Sequence, residues 1–147
     1  RSEDIMNSND SFAISATGMH LEKLRANVAS MNLANAHTIA GPDGNGYKPR
    51  HVVAVIQNAP DFNSYVTGGS LVAPSISVEE TGAKSKMVLQ PDHPYANLNG
   101  YITYPGVDNA TEMMTMMSAI RSYEANVAAF NFAKSMAIKA LDIGGNS

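Results

Sequence analysis

Two stretches of the chain carry residues at alternating spacings of three and four, the repeat of helices that pack lengthwise on one another. In the first, steps from Ile14 reach Thr17, Leu21, Leu24, Val28, Met31 and Asn35. In the second, steps from Met113 reach Met116, Ile120, Tyr123, Val127, Phe130, Lys134, Ala137 and Leu141, with Lys134 alone polar in chemistry and charge. The pattern predicts one helix from the cap candidates Asn9, Asp10 and Ser11 to Ala36, weakened only at Gly18. It predicts another from the capping box Asn109-Ala110-Thr111-Glu112 to Ile143, stopped by Gly144-Gly145.

All seven prolines fall between Pro42 and Pro105, so the middle of the chain is where turns concentrate. Gly41 to Gly46 supplies the positive and fixed φ angles of a loop and resists helix. The valine- and isoleucine-rich run from Arg50 to Gln57 reads as a strand, and shorter strand candidates are Leu71 to Ala73, Ile76 to Val78, Lys86 to Leu89 and Tyr101 to Tyr104. The expected organisation is a flexible extension over 1–10, an N-terminal helix over 11–40, a β-rich middle over 41–106 and a C-terminal helix and tail over 107–147. The fold class is α+β, mainly α, with two long helices packed lengthwise in coiled-coil fashion and a small antiparallel β unit between them.

Charge changes this picture. Charged residues make up 16% of the chain, against about 25% in an average domain. The predicted arms hold only Glu22, Lys23 and Arg25 in one, and Glu112, Arg121, Glu124, Lys134, Lys139 and Asp142 in the other. Their remaining faces carry Ala, Ser, Thr, Met and Asn, which let helices approach closely instead of solvating them. Those faces are expected to meet neighbouring subunits, which also supplies the core that a two-helix hairpin lacks. Asn27, Asn32, Asn35, Asn126 and Asn131 have poor helix propensity and are expected to set register in the packed helices. Leu21, Leu24, Val28, Met31, Ile120, Tyr123, Val127, Phe130 and Leu141 are expected to form the seam itself.

The function classes that remain are narrow. A net charge of -3 without basic clusters gives no reason to expect nucleic acid as a partner. The chain has no cysteine, which excludes disulfides and thiol chemistry, and no apolar run near the roughly 20 residues of a membrane span. Residues 1–10 lack the apolar centre of a secretory signal, and Met6 reads as a natural start with Arg1 to Ile5 upstream of it. His20, His37, His51 and His93 lack the spacing of a metal pair, and Asn97-Leu98-Asn99-Gly100 has Tyr95 and Gly106 where a calcium loop needs ligands. No cofactor, metal site or catalytic set is expected.

Ser15-Ala16-Thr17-Gly18-Met19, with Asn27 to Thr38 (NVASMNLANAHT), resembles the N-terminal signature of bacterial flagellar axial proteins, the rod and hook family. Arg121 to Val127 and Ala133 to Gly144 resemble its C-terminal signature. Tyr47-Lys48-Pro49-Arg50, Pro91 to Asn97, Gly100-Tyr101 and Pro105, in so short a chain, are similar to the proximal-rod members and not to the longer distal-rod and hook ones. The resemblance implies a non-enzymatic subunit of the proximal rod that polymerises through its terminal helices into a torque-transmitting shaft across the periplasm. It implies export by the flagellar type III apparatus without a cleaved signal. Its expected partners are copies of itself, other rod subunits, the export apparatus and the surrounding basal-body rings. The rival readings are another rod or hook subunit, or a β ligand-binding module with helical dimerisation arms.

Overall fold

The computed structural model describes residues 2–41, 43–56 and 74–145, with helical side chains from Phe12 in the first helix and to Gly144 in the last. The elements are α1 (Ser2–Asn35), β1 (Arg50–Val55), β2 (Ser75–Glu80), β3 (Lys86–Leu89), β4 (Tyr101–Tyr104) and α2 (Asn109–Gly145). The architecture is the expected mainly helical α+β arrangement, its β part divided into two two-stranded antiparallel sheets, β1 with β2 and β3 with β4. The strand candidate Leu71 to Ala73 lies outside the described residues.

Both helix starts differ from the sequence expectation. α1 runs from Ser2, ahead of the cap candidates Asn9, Asp10 and Ser11. Nothing from Ser2 to Ser11 is Pro or Gly, so no residue there breaks the helix. α2 is capped by Asp108 and not by Asn109. Asp108 Oδ1 accepts from the Ala110 N–H at 3.3 Å, Oδ2 accepts from the Thr111 hydroxyl, and the Asp108 carbonyl accepts from the Glu112 N–H at 3.0 Å. Asp108 and Asn109 are both good caps by type, and the Thr111 hydroxyl three residues on favours the first. That hydroxyl is also the main reason the Asp108 carboxyl titrates below its ordinary range, slight desolvation opposing it and the N–H groups of Ala110 and Thr111 adding to it.

The described residues divide into two compact units, one from 2–23, 54–56, 74–76 and 119–145, the other from 24–41, 43–53 and 77–118. In the first, the rings of Phe12 and Phe130 meet edge to face at 5.1 Å. Gly18 lies against Asn126, so closely that a Cβ on Gly18 would stand 2.9 Å from Asn126 Nδ2. As the contacts move up α1 they move down α2, so the helices run antiparallel here. Ala119 is buried in the same unit.

The second unit holds the larger core. Val28, Ala29, Asn32, Ala36, Ala40, Pro49, Ile102 and Pro105 are its buried residues, and Ile102 is sealed off completely. Ile102 stands opposite Val88 in a register that also pairs Lys86 with Tyr104, Met87 with Thr103 and Leu89 with Tyr101. Strand alternation then sends Val88 and Ile102 to one face, and Met87 and Leu89 to the other, where they are exposed. The chain leaving α1 is tied to this hairpin by the Ala40 N–H, which donates to the Thr103 carbonyl at 2.9 Å. Thr81 beyond β2 donates to the Pro49 carbonyl from its N–H at 2.9 Å and from its hydroxyl at 3.2 Å.

Two outcomes test these contacts. At Gly106 a Cβ would fall 2.2 Å from the Lys84 carbonyl oxygen, a fixed backbone atom. Gly106→Ala is therefore expected to lower unfolding free energy in urea by roughly 1–3 kcal/mol, whereas Gly144→Ala, which meets open space, is expected to cause no loss. Because the Asp108 carboxyl is depressed in the folded chain, its stabilisation is complete above the ordinary carboxylate range and disappears as pH falls through its lowered pKa. The melting temperature of Asp108→Ala should accordingly lie below wild type at neutral pH and converge with it in strong acid.

Candidate functional site

The most heavily hydrogen-bonded buried side chain is Asn32, which has no exposed surface. Its Nδ2 donates to the Arg50 carbonyl at 2.8 Å, and its Oδ1 accepts from the Arg50 N–H at 3.0 Å and from the Tyr47 hydroxyl at 2.8 Å. A side-chain amide thus pairs with the peptide groups of Arg50 as a neighbouring strand would, and fastens the start of β1 to α1. Burial pushes the Tyr47 phenol up, with the Arg50 guanidinium opposing and the Glu112 carboxylate adding to it. Among the described residues no buried side-chain polar atom lacks a partner.

The other register candidates are placed differently from Asn32 and from one another. Asn35 donates from Nδ2 to the Met31 carbonyl at 2.8 Å, within its own helix end, and accepts from the Thr38 hydroxyl at 3.4 Å. Asn126 is half-buried against Gly18. Asn27 and Asn131 are exposed.

Of the seam candidates, Val28 is buried, and Leu21, Leu24, Val127 and Phe130 are half-buried. Met31, Ile120, Tyr123 and Leu141 stand in solvent. Along α1 a second set of less exposed positions, Ser15, Gly18, Glu22, Arg25, Ala29 and Asn32, runs one residue along from the apolar repeat. In α2 the less exposed positions include Glu112, Met116, Ala119, Ser122, Asn126, Phe130, Ala133 and Ala137. Apart from Asn32, the most deeply buried helical residues, Ala29 and Ala119, are small, whereas most of the large apolar side chains of α2 face out.

The consequence is an unusual surface on α2. Met113, Met114, Met117, Ile120, Tyr123, Phe132, Met136, Ile138, Leu141 and Ile143 are all exposed. At 100° per residue they fall on two flanks. One holds Met113, Met117, Ile120, Tyr123, Ile138 and Leu141, and the other holds Met114, Phe132, Met136 and Ile143, with Arg121, Ala128 and Lys139 between them. The second flank has no counterpart in the sequence expectation, because stepping from Met113 follows one flank only. Phe12 and Tyr47 were missed for a related reason, since neither lies on the apolar repeat. Among the described residues no helix is long and apolar enough to cross a membrane.

The Asn32 bracket can be tested directly. Asn32→Leu leaves the Arg50 peptide and the Tyr47 hydroxyl without partners and is expected to cost roughly 3 kcal/mol of stability. Tyr47→Phe, which leaves the Arg50 pairing intact, should cost about 1 kcal/mol. Equal losses in urea unfolding would remove Asn32 from this role.

The model of the flagellar basal body rod FlgEFG protein C-terminal family matches residues 98–143, which take in β4 and most of α2. Over 133 residues the chain is 43% identical to the flagellar basal-body rod protein FlgC of Salmonella typhimurium, covering 90% of this chain and 95% of that protein. It is 35% identical over 145 residues to the FlgC of Bacillus subtilis, covering 91% and 96% of the two chains. It is 33% identical over 147 residues to that of Borreliella burgdorferi, covering 90% and 95%. These relatives do not favour a ligand-binding β module with dimerisation arms. With both terminal signatures, the short middle and the long helices accounted for together, the chain belongs to the FlgC family of flagellar basal-body rod proteins, structural subunits of the flagellar basal body.

Proposed function

We propose that this rod subunit polymerises through its terminal helices, and that the resulting shaft carries torque across the periplasm. The observation that carries the reading is the exposure of ten large apolar side chains on α2. A helix apolar on several sides is at home only when buried, and among the described residues the chain has too little of its own surface to cover it. Close-packed helices deform little, so a shaft held by lengthwise helical contacts resists twist.

In this assembly Met31, Ile120, Tyr123 and Leu141, exposed in the single chain, close against neighbouring subunits. Leu21, Leu24, Val28, Val127 and Phe130 support them from the side turned toward the chain's own core. Asn27 and Asn131, exposed mid-helix amides, set the register of the neighbouring helix, with Asn35 and Asn126 at the edge of the same contact and Asn32 holding the helix that presents it. The partners are further copies, other rod subunits and the surrounding basal-body rings. Delivery runs through the flagellar type III export apparatus without a cleaved signal.

Ile120→Asp and Phe132→Asp place a charge on each of the two apolar flanks, at positions whose exposure spares the fold of the single chain. Each is expected to keep the wild-type melting temperature of the monomer while abolishing higher-order assembly in sedimentation and motility in a complemented rod-deficient strain. Normal motility in both would overturn the reading.

A further inference from the structure

The chain places glycine directly after Asn or Asp at three points, Asp43-Gly44, Asn45-Gly46 and Asn99-Gly100. At such pairs a polypeptide can attack itself, because the glycine nitrogen reaches the side-chain carbonyl carbon of the residue before it and no Cβ stands in the way. The attacking nitrogen must first give up its proton, so an N–H already committed to a hydrogen bond is held back from reaction. The three pairs differ in that respect.

Gly44 donates its N–H to the Gly41 carbonyl at 2.9 Å, and Gly100 donates its N–H to the Asn97 carbonyl at 2.8 Å. Gly100 is pinned further. Asn97 Oδ1 accepts from the N–H groups of Asn99 at 2.9 Å and Tyr101 at 3.0 Å, on either side of it, and a Cβ on Gly100 would stand 3.1 Å from Pro91 Cβ. Ring closure at Asn99 has to break this turn. At Asp43 the electrophile is also unsuitable, because an ionised carboxylate has no leaving group. Its carboxyl titrates below the ordinary range, chiefly through the hydrogen bond from the Asn45 side chain and next through the Asn45 N–H, with desolvation opposing and its own N–H adding to them. Asn45 has neither obstacle. It is exposed, its side chain is an amide, and among the described residues the Gly46 N–H has no acceptor.

We infer that Asn45 is a site of spontaneous deamidation, the one pair of the three that the folded chain leaves reactive. The Gly46 nitrogen loses its proton to solvent and bonds to Asn45 Cγ, the Cγ–Nδ2 bond breaks, and the departing nitrogen takes up a proton and leaves as ammonia. Water then opens the succinimide that remains. Opening at Cγ gives aspartate, and opening at the backbone carbonyl gives isoaspartate, in which the chain runs on through the side chain. No oxidant or reductant takes part. Either product puts a carboxylate where Asn45 Nδ2 now donates to Asp43 Oδ2 at 2.8 Å, so a hydrogen bond becomes a repulsion between like charges. Isoaspartate also lengthens the backbone just ahead of Tyr47, whose hydroxyl donates to Asn32. The chemistry is independent of the helical assembly.

Full-length protein is incubated at neutral pH, folded and in parallel in urea, and its peptides are followed by mass spectrometry for conversion of amide to acid. In urea the two Asn-Gly pairs should convert alike. In the folded protein Asn45 should convert faster than Asn99 by on the order of tenfold, the factor that freeing one hydrogen-bonded N–H represents. Isoaspartate at position 45 should take label from S-adenosylmethionine and an isoaspartyl methyltransferase, and Asn45→Gln, whose extra methylene disfavours ring closure, should remove most of that label without changing the rate at Asn99. Equal rates at the two pairs in the folded protein, or an Asn45 that keeps its amide while the chain in urea converts, would overturn the inference.

Discussion

The second unit depends on a single amide. A carboxamide carries a donor and an acceptor at nearly the spacing of a peptide group, so Asn32 can pair with both polar groups of Arg50 from within a helix. An isolated two-stranded ribbon is marginal in water and needs a surface to lie on. The pairing fixes β1 on α1, Thr81 then holds the end of β2 to Pro49, and Ala40 ties the end of α1 to β4. Remove the amide and both polar groups of the Arg50 peptide, with the Tyr47 hydroxyl, lose a partner. That asymmetry between a satisfied and an orphaned polar group is larger than the net worth of any one hydrogen bond.

Around that fixed point the chain leaves most of the large apolar side chains of α2 outside. Ser15, Gly18 and Ala29 lie on the less exposed side of α1, and Ala119, Ala133 and Ala137 on that of α2, and Gly18 lies directly against Asn126. Phe132, Met136, Leu141 and Ile143 face out. A monomer would gain more by turning the large side chains in, since buried apolar area sets the driving force. The arrangement supports the proposed assembly of this basal-body rod subunit, in which neighbours cover the exposed flanks of α2. Low charge on the same helices removes the solvated face that would keep them apart.

Much of this was legible in the residues, and the misses share a cause. β3 and β4 lie where their valine, isoleucine and tyrosine content placed them, whereas α2 continues past Ile143 through both glycines that were expected to stop it. The cap of α2 moved one residue because Asp108 and Asn109 are equivalent by type, and only the Thr111 hydroxyl distinguishes them. Stepping by threes and fours from Ile14 followed the largest side chains, but a second set of less exposed positions on α1 runs one residue further along. Size marks what a helix will bury somewhere, and the partner decides which of its faces is buried within the chain.

By itself the sequence determined the two long helices, the strand-bearing middle and the shortage of solvating charge, and it carried the terminal signatures that place the chain among axial proteins. These are local or compositional properties: periodicity, turn residues and charge are each read within a few positions. The tertiary structure alone decided that Asn32 serves Arg50, that Gly18 lies against Asn126 and that Phe12 meets Phe130. Each of those depends on residues distant in sequence approaching to hydrogen-bond or van der Waals range, and no spacing along a chain encodes which distant backbone a side chain will meet.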